Sequence, residues 1–119
     1  MAVALIVEDE WHVRLQLAET LVENGWTVLE ASTGEDALLL LKSEPKIDLL
    51  LTDVRLPGTI SGWDIADAVR AERASIAVIY CSGNPNNPSR QVPGSVYLSK
   101  PTRTDVLIET CRRLCADVL

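Results

Sequence analysis

The chain has no phenylalanine, a single histidine, and no CxxC pair among its three cysteines. Without Phe, the tryptophans are expected to supply aromatic bulk, Trp26 and Trp63 partly buried and Trp11 nearer the surface. Cys81, Cys111 and Cys115 make an odd set, which suits a reducing cytosol better than a disulfide scaffold. Cys111 and Cys115 stand four apart on an expected helix face. The lone His12 offers them no neighbouring metal ligand, so both are read as packing residues. His12 itself is expected on exposed helix surface.

Long apolar runs are also missing. None approaches the roughly 20 residues of a membrane span, and MAVALIVEDE has neither the basic stretch nor the cleavage site of a signal peptide. No membrane association and a cytoplasmic location are expected. Positive charge is scarce as well. Seventeen acidic and 11 basic residues give a formal charge of −6, which argues against direct nucleic-acid binding and against anionic lipid. No glycine-rich loop follows the first apolar run and no GxxxxGK[ST] occurs, which excludes the common nucleotide-binding loops.

What is present is a regular alternation. At 119 residues and 47% hydrophobic content the chain suits one domain, 1–119, with a single core. Short apolar runs at Ala2 to Val7, Thr27 to Ala31, Ile47 to Thr52, Ile76 to Cys81 and Ser95 to Leu98 read as strands. Between them lie amphipathic segments. Trp11 to Val22 carries apolar residues at Trp11, Leu15, Ala18 and Val22 and stops at Asn24-Gly25. A capping box from Ser32 to Glu35 opens a helix through Leu41. Ser61-Gly62 begins a helix running from about Trp63 to Glu72. Thr104 to Val118 forms the last, with Leu107, Cys111, Leu114 and Val118 on one stripe and Arg112-Arg113 solvated. The expected class is α/β, a doubly wound parallel sheet with helices on both faces. Between the fourth and fifth strands, GNPNNPSRQVPG at 83–94 is a poor helix, so the fourth helix is expected to be short or irregular.

In open parallel sheets, sites form beyond the carboxyl ends of the strands. The first strand here leads into Glu8-Asp9-Glu10, and the third, LLLTDVRLPG, ends abruptly on Asp53. The fourth ends on Cys81-Ser82-Gly83, and the fifth leads to Lys100-Pro101. Singly, each has an ordinary explanation: acids cap helices, Asp turns chains, Lys-Pro enters a helix. Together they place acids, a hydroxyl and an ammonium at successive strand ends. Clustered carboxylates repel one another, and Mg²⁺, which takes oxygen ligands, resolves that conflict. Asp53 is then a candidate nucleophile of the aspartyl-phosphate kind, with Lys100 and the metal balancing the transferring charge and Ser82 bonding the attached group. A phosphatase of haloacid-dehalogenase type would need an acid two residues after the nucleophile, where this chain has Arg55.

These residues resemble the receiver domains of two-component response regulators. The likeness extends from Val3 to Leu119 and rests on VEDE at 7–10, LLTDVRLPG at 50–58, SGWDIA at 61–66, YCSG at 80–83 and VYLSKP at 96–101. It implies a flavodoxin-like fold with strand order 2-1-3-4-5. It implies that Asp53 accepts a phosphoryl group from a histidine kinase or phosphotransfer protein, and that Glu8, Asp9, Asp53 and the backbone carbonyl of Arg55 hold Mg²⁺. Lys100 would contact the phosphoryl group, Ser82 would be the switch hydroxyl, and Tyr97 the aromatic that turns inward with it. Pro101 would follow a cis peptide. The side chains of Arg55 and Asn84 flank the pocket and would alter the phosphoryl lifetime. A downstream protein target and a homodimer are the implied partners, with no independent substrate turnover. A pseudo-receiver that binds proteins without phosphorylation is the competing expectation. No basic recognition helix or output domain is evident, so a stand-alone regulator and a segment of a larger one fit equally.

Overall fold

The apolar runs pair as their composition dictates. In the computed structural model, which describes residues 2–119, they form five strands: β1 (Val3–Val7), β2 (Thr27–Ala31), β3 (Leu49–Thr52), β4 (Ala77–Ser82) and β5 (Val96–Ser99). All four neighbouring pairs are parallel and the order is β2-β1-β3-β4-β5. Leu49, Leu50 and Leu51 are all buried, as an unalternating run requires when both faces of a sheet are covered.

Side-chain alternation divides the core in two. Ala4, Ile6, Leu49, Leu51, Ile79 and Cys81 face α1 (Trp11–Glu23) and α4 (Thr104–Leu114). Leu5, Val7, Leu50, Val78 and Tyr80 face α2 (Gly34–Ser43) and α3 (Gly62–Glu72). The chain reverses direction across the sheet between β1 and β3, so the crevice of this fold class opens at their carboxyl ends.

Several elements differ from the expectation. On α1, Trp11, Leu15 and Val22 are exposed, and the inward residues are Ala18 and Leu21 with Leu17 beside them. The stripe is Arg14, Leu17, Ala18 and Leu21, and its first place is held by a charged residue. Arg14 Nη1 donates to the Glu8 carbonyl at 2.8 Å and its Nε pairs with Glu30. A stripe read from apolar residues alone therefore comes out rotated. Thr33, not Ser32, caps α2, accepting from the Asp36 amide at 3.1 Å, and that helix continues to Ser43. The expected box at Ser32 and Glu35 gives way to a single cap bond one residue later, with the Thr33 hydroxyl in the N-cap role. Ser61 caps α3 in a full capping box with Asp64. The last helix ends at Leu114, with Cys115 as its cap. The third strand starts at Leu49 rather than Ile47, and just before it the Asp48 carboxylate accepts from the Val3 amide at 2.8 Å. Residues 83–95 contain no helix at all.

Candidate functional site

Three parallel ladders overrun their strands by one residue, and this carries the candidate side chains to a common edge. The Glu8 amide donates to Ala31 O at 3.1 Å, the Asp53 amide to Val7 O at 2.9 Å, and the Lys100 amide to Ser82 O at 2.9 Å. The groups named from the sequence thus begin where the sheet stops, held by its own backbone. The Lys100–Pro101 peptide is cis.

One carboxylate oxygen each from Glu8, Asp9 and Asp53 lies within 4.8 Å of the other two. Lys100 Nζ donates to Asp53 Oδ2 at 2.8 Å and to Glu8 Oε1. Glu8 is almost fully buried, at 1% exposure, and its second oxygen accepts from the Glu10 amide at 3.1 Å. Burial pushes the Glu8 carboxyl above its usual range and outweighs the opposing hydrogen bond from Lys100. Burial pulls the Lys100 ammonium down, but its bonds to Asp53 and Glu8 prevail and hold it above the usual lysine range. Three carboxylates face one ammonium, and Glu8 is still held toward its neutral form. The donor set is all oxygen and short of positive charge, which fits a hard divalent cation such as Mg²⁺.

Asp53 is itself tightly fixed. The Val54 amide donates to its Oδ1 at 2.7 Å, which leaves Oδ2 turned toward Lys100. Thr52 Oγ1 donates to the Asp53 carbonyl at 2.7 Å. A Cβ at position 62 would stand 2.0 Å from that carbonyl oxygen, so only glycine lets α3 begin where it does. The sequence assigns neither Thr52 nor Gly62 a role at the site, although Gly62 stands at the expected start of α3. Thr52 reads there as an ordinary β-branched strand residue, and its only signal is a hydroxyl directly before the acid.

Ser82 lies in register with Ser99 on β5, one residue before Lys100, and is fully buried. Its Oγ accepts from the Asn84 amide at 3.1 Å and from Asn84 Nδ2 at 3.4 Å. Tyr97 stands apart from the carboxylates. Its hydroxyl donates to the Asn84 carbonyl, so it reaches Ser82 through one intervening residue. The Tyr97 ring lies 6.3 Å from Trp63, which in turn lies 4.6 Å from Tyr80. Arg55 is exposed on the turn after β3. His12 is exposed and near Glu10, outside the carboxylate cluster.

Comparison with known proteins gives consistent matches. Residues 4–112 match the family described as response regulator receiver domain. The chain is 38% identical over 114 residues to the positive alginate biosynthesis regulatory protein of Pseudomonas aeruginosa, covering 92% of this chain and 45% of that one. It is 32% identical to the aerobic respiration control protein ArcA of Escherichia coli, covering 92% and 47%. The chain thus spans about half the length of these curated relatives. Among solved structures, a response regulator receiver protein from Sinorhizobium medicae superposes with a TM-score of 0.91 at 31% identity, covering 95% of this chain and 93% of that one. The response regulator TrrA of Thermotoga maritima, solved in complex with Mg²⁺–BeF, gives 0.84 at 30% identity, covering 96% and 99%.

Proposed function

The chain belongs to the response regulator receiver domains of two-component systems, and on that premise we propose that Asp53 is its phosphoacceptor. The single observation that carries this reading is the Lys100 ammonium bridging Oδ2 of Asp53 and the buried carboxylate of Glu8 at the sheet edge. Oδ2 of Asp53 attacks the phosphorus of a phosphohistidine on a kinase or phosphotransfer protein. The P–N bond breaks, the imidazole departs with the electron pair, and an acyl phosphate forms on Asp53. Lys100 stands where negative charge collects on the transferring group. Glu8, Asp9 and Asp53, with the backbone carbonyl of Arg55, would hold Mg²⁺, which would supply further charge neutralisation when bound. The relative TrrA was solved with Mg²⁺–BeF, which supports the assignment of that ion.

Once formed, the acyl phosphate presents new acceptor oxygens next to Ser82. The Ser82 hydroxyl turns toward them, which reorganises its bonds with Asn84 and so disturbs the Asn84 carbonyl that Tyr97 holds. Taking such a surface from mostly off to mostly on needs about 5.5 kcal/mol of differential stabilisation. Charge-assisted hydrogen bonds to a phosphoryl group are of the right strength to supply much of it. A downstream protein that binds one of the two surfaces reads the signal.

Incubation with Mg²⁺ and acetyl phosphate, followed by rapid intact-mass measurement, tests the proposal. Wild-type protein gains one phosphoryl group, and Asp53→Asn and EDTA-treated samples gain none. A wild-type protein that takes no phosphoryl group and does not bind beryllofluoride overturns the reading in favour of a phosphorylation-independent binding module.

A further inference from the structure

Two atoms on either side of one peptide bond are held near Asp53, and that bond is planar. On one side, the Asp53 carbonyl accepts from the hydroxyl of the fully buried Thr52 at 2.7 Å. On the other, the Val54 amide donates to Oδ1 of the Asp53 side chain at 2.7 Å. The carbonyl and the amide belong to the same rigid unit, so whatever fixes one fixes the other. Gly62 closes the arrangement: its amide donates to Val54 O at 2.8 Å, and its missing Cβ leaves the space the Asp53 carbonyl occupies.

Resting on the reading of Asp53 as phosphoacceptor, we infer that Thr52 is a positioning residue for phosphoryl transfer. Its hydroxyl locks the peptide plane between Asp53 and Val54, and that plane pins Oδ1 so that Oδ2 is the oxygen presented for attack. The chain of contacts runs from Thr52 Oγ1 to the Asp53 carbonyl, through the plane to the Val54 amide, and on to Oδ1. At the far end, Oδ2 meets Lys100 Nζ at 2.8 Å. Rotation of the plane frees Oδ1 and lets the carboxylate turn away from Lys100. Misplacements of this size are costly in transfer reactions, because the reacting atoms must be aligned within a fraction of an ångström.

Thr52→Val keeps the branched shape and burial but removes the donor, while Thr52→Ser keeps the donor and loses a methyl group. Phosphorylation by acetyl phosphate with Mg²⁺ is expected to slow by about tenfold or more in Thr52→Val and to stay near the wild-type rate in Thr52→Ser. Amide hydrogen exchange supplies a readout independent of phosphorylation. Val54 protection is expected to fall in Thr52→Val and to be retained in Thr52→Ser, with the core of β1 and β3 unchanged in both. Equal rates and equal Val54 protection in wild type and Thr52→Val overturn the inference. So does a Thr52→Ser protein as impaired as Thr52→Val, which assigns the effect to packing. If Thr52→Val does not fold, Thr52→Ser and Thr52→Ala differ by the same oxygen and answer the same question. A wild-type protein that takes no phosphoryl group sinks the assignment of Asp53 instead, and Val54 exchange then decides on its own whether Thr52 fixes the carboxylate.

Discussion

The two faces of the sheet are closed by different means. On one, α1 and α4 cover the strands, and apart from Trp26 the packing is aliphatic, with Cys81, Cys111 and Cys115 buried among Leu21, Ile79 and Leu107. On the other, α2 and α3 cover β1, β3 and part of β4, and the irregular segment 83–95 stands where a further helix would reach β5. Aromatic rings take up the space there. Trp63, Tyr80 and Tyr97 cluster with centroids 4.6 to 6.4 Å apart, and Val92 from the segment is buried with them. Hydrogen bonds then fasten the segment as helix packing otherwise would. Tyr80 Oη accepts from the Val92 amide at 3.3 Å, and Arg70 donates to Ile76 O and Pro93 O. Arg90 pairs with Asp64 and Asp67 on α3. The α1–α4 face is closed by helices along its whole width. The α2–α3 face, which lacks a helix over β5, connects its aromatic filling through Tyr97 to Asn84, beside Ser82.

The largest expected effect breaks the α1–α4 face with alkali. Burial pushes the Cys81 thiol from 9.0 to about 11, Cys111 to about 12 and Cys115 to about 11. The folded state therefore keeps protons that the unfolded chain releases near pH 9, and stability must fall as pH rises from there toward 11 to 12. A tenfold change in a group's proton affinity is worth about 1.4 kcal/mol, so the three thiols together cost several kcal/mol. Thermal melts are expected to hold steady from pH 7 to 8.5 and drop steeply above 9, and Cys111→Ala should flatten that drop. Next, Tyr80→Ala removes the fully buried ring at the centre of the other face and should cost about 3–5 kcal/mol in urea unfolding. Tyr80→Phe should cost only about 1 kcal/mol, the hydrogen bond to Val92. In both variants the amides of 90–95 should lose exchange protection while those of α1 and α4 keep theirs. Smallest is Arg90→Ala, whose pairs with Asp64 and Asp67 are half-exposed; a change under about 1 kcal/mol, fading with added salt, is expected.

The same contrast explains what the sequence made legible. The parallel sheet was readable because runs such as Leu49 to Leu51 are apolar without alternation, and the pocket because strand ends expose chemistry-bearing residues in order. The poor helix at 83–94 was visible in its prolines and asparagines. What replaced that helix was not, since nothing in the spacing of Trp63, Tyr80 and Tyr97 announces that they meet. Arg14 misled the reading of α1, because a long side chain can line an inner face and still deliver its charge to a carbonyl at the rim. The contacts of Thr52 and Gly62 with Asp53 were illegible for a related reason: they are made on backbone atoms, and sequence patterns report side chains.

The central claim is that a phosphoryl group is carried by Asp53 and by no other acid of the cluster. Reduction of the acetyl-phosphate-treated protein with borohydride converts an acyl phosphate to the alcohol, so a phosphorylated aspartate becomes homoserine. Peptide mass mapping is predicted to find homoserine at position 53 alone, and only in samples treated with Mg²⁺. Reduction product at Asp9, or at Glu8 as its one-carbon-longer counterpart, with position 53 unmodified, would contradict the account.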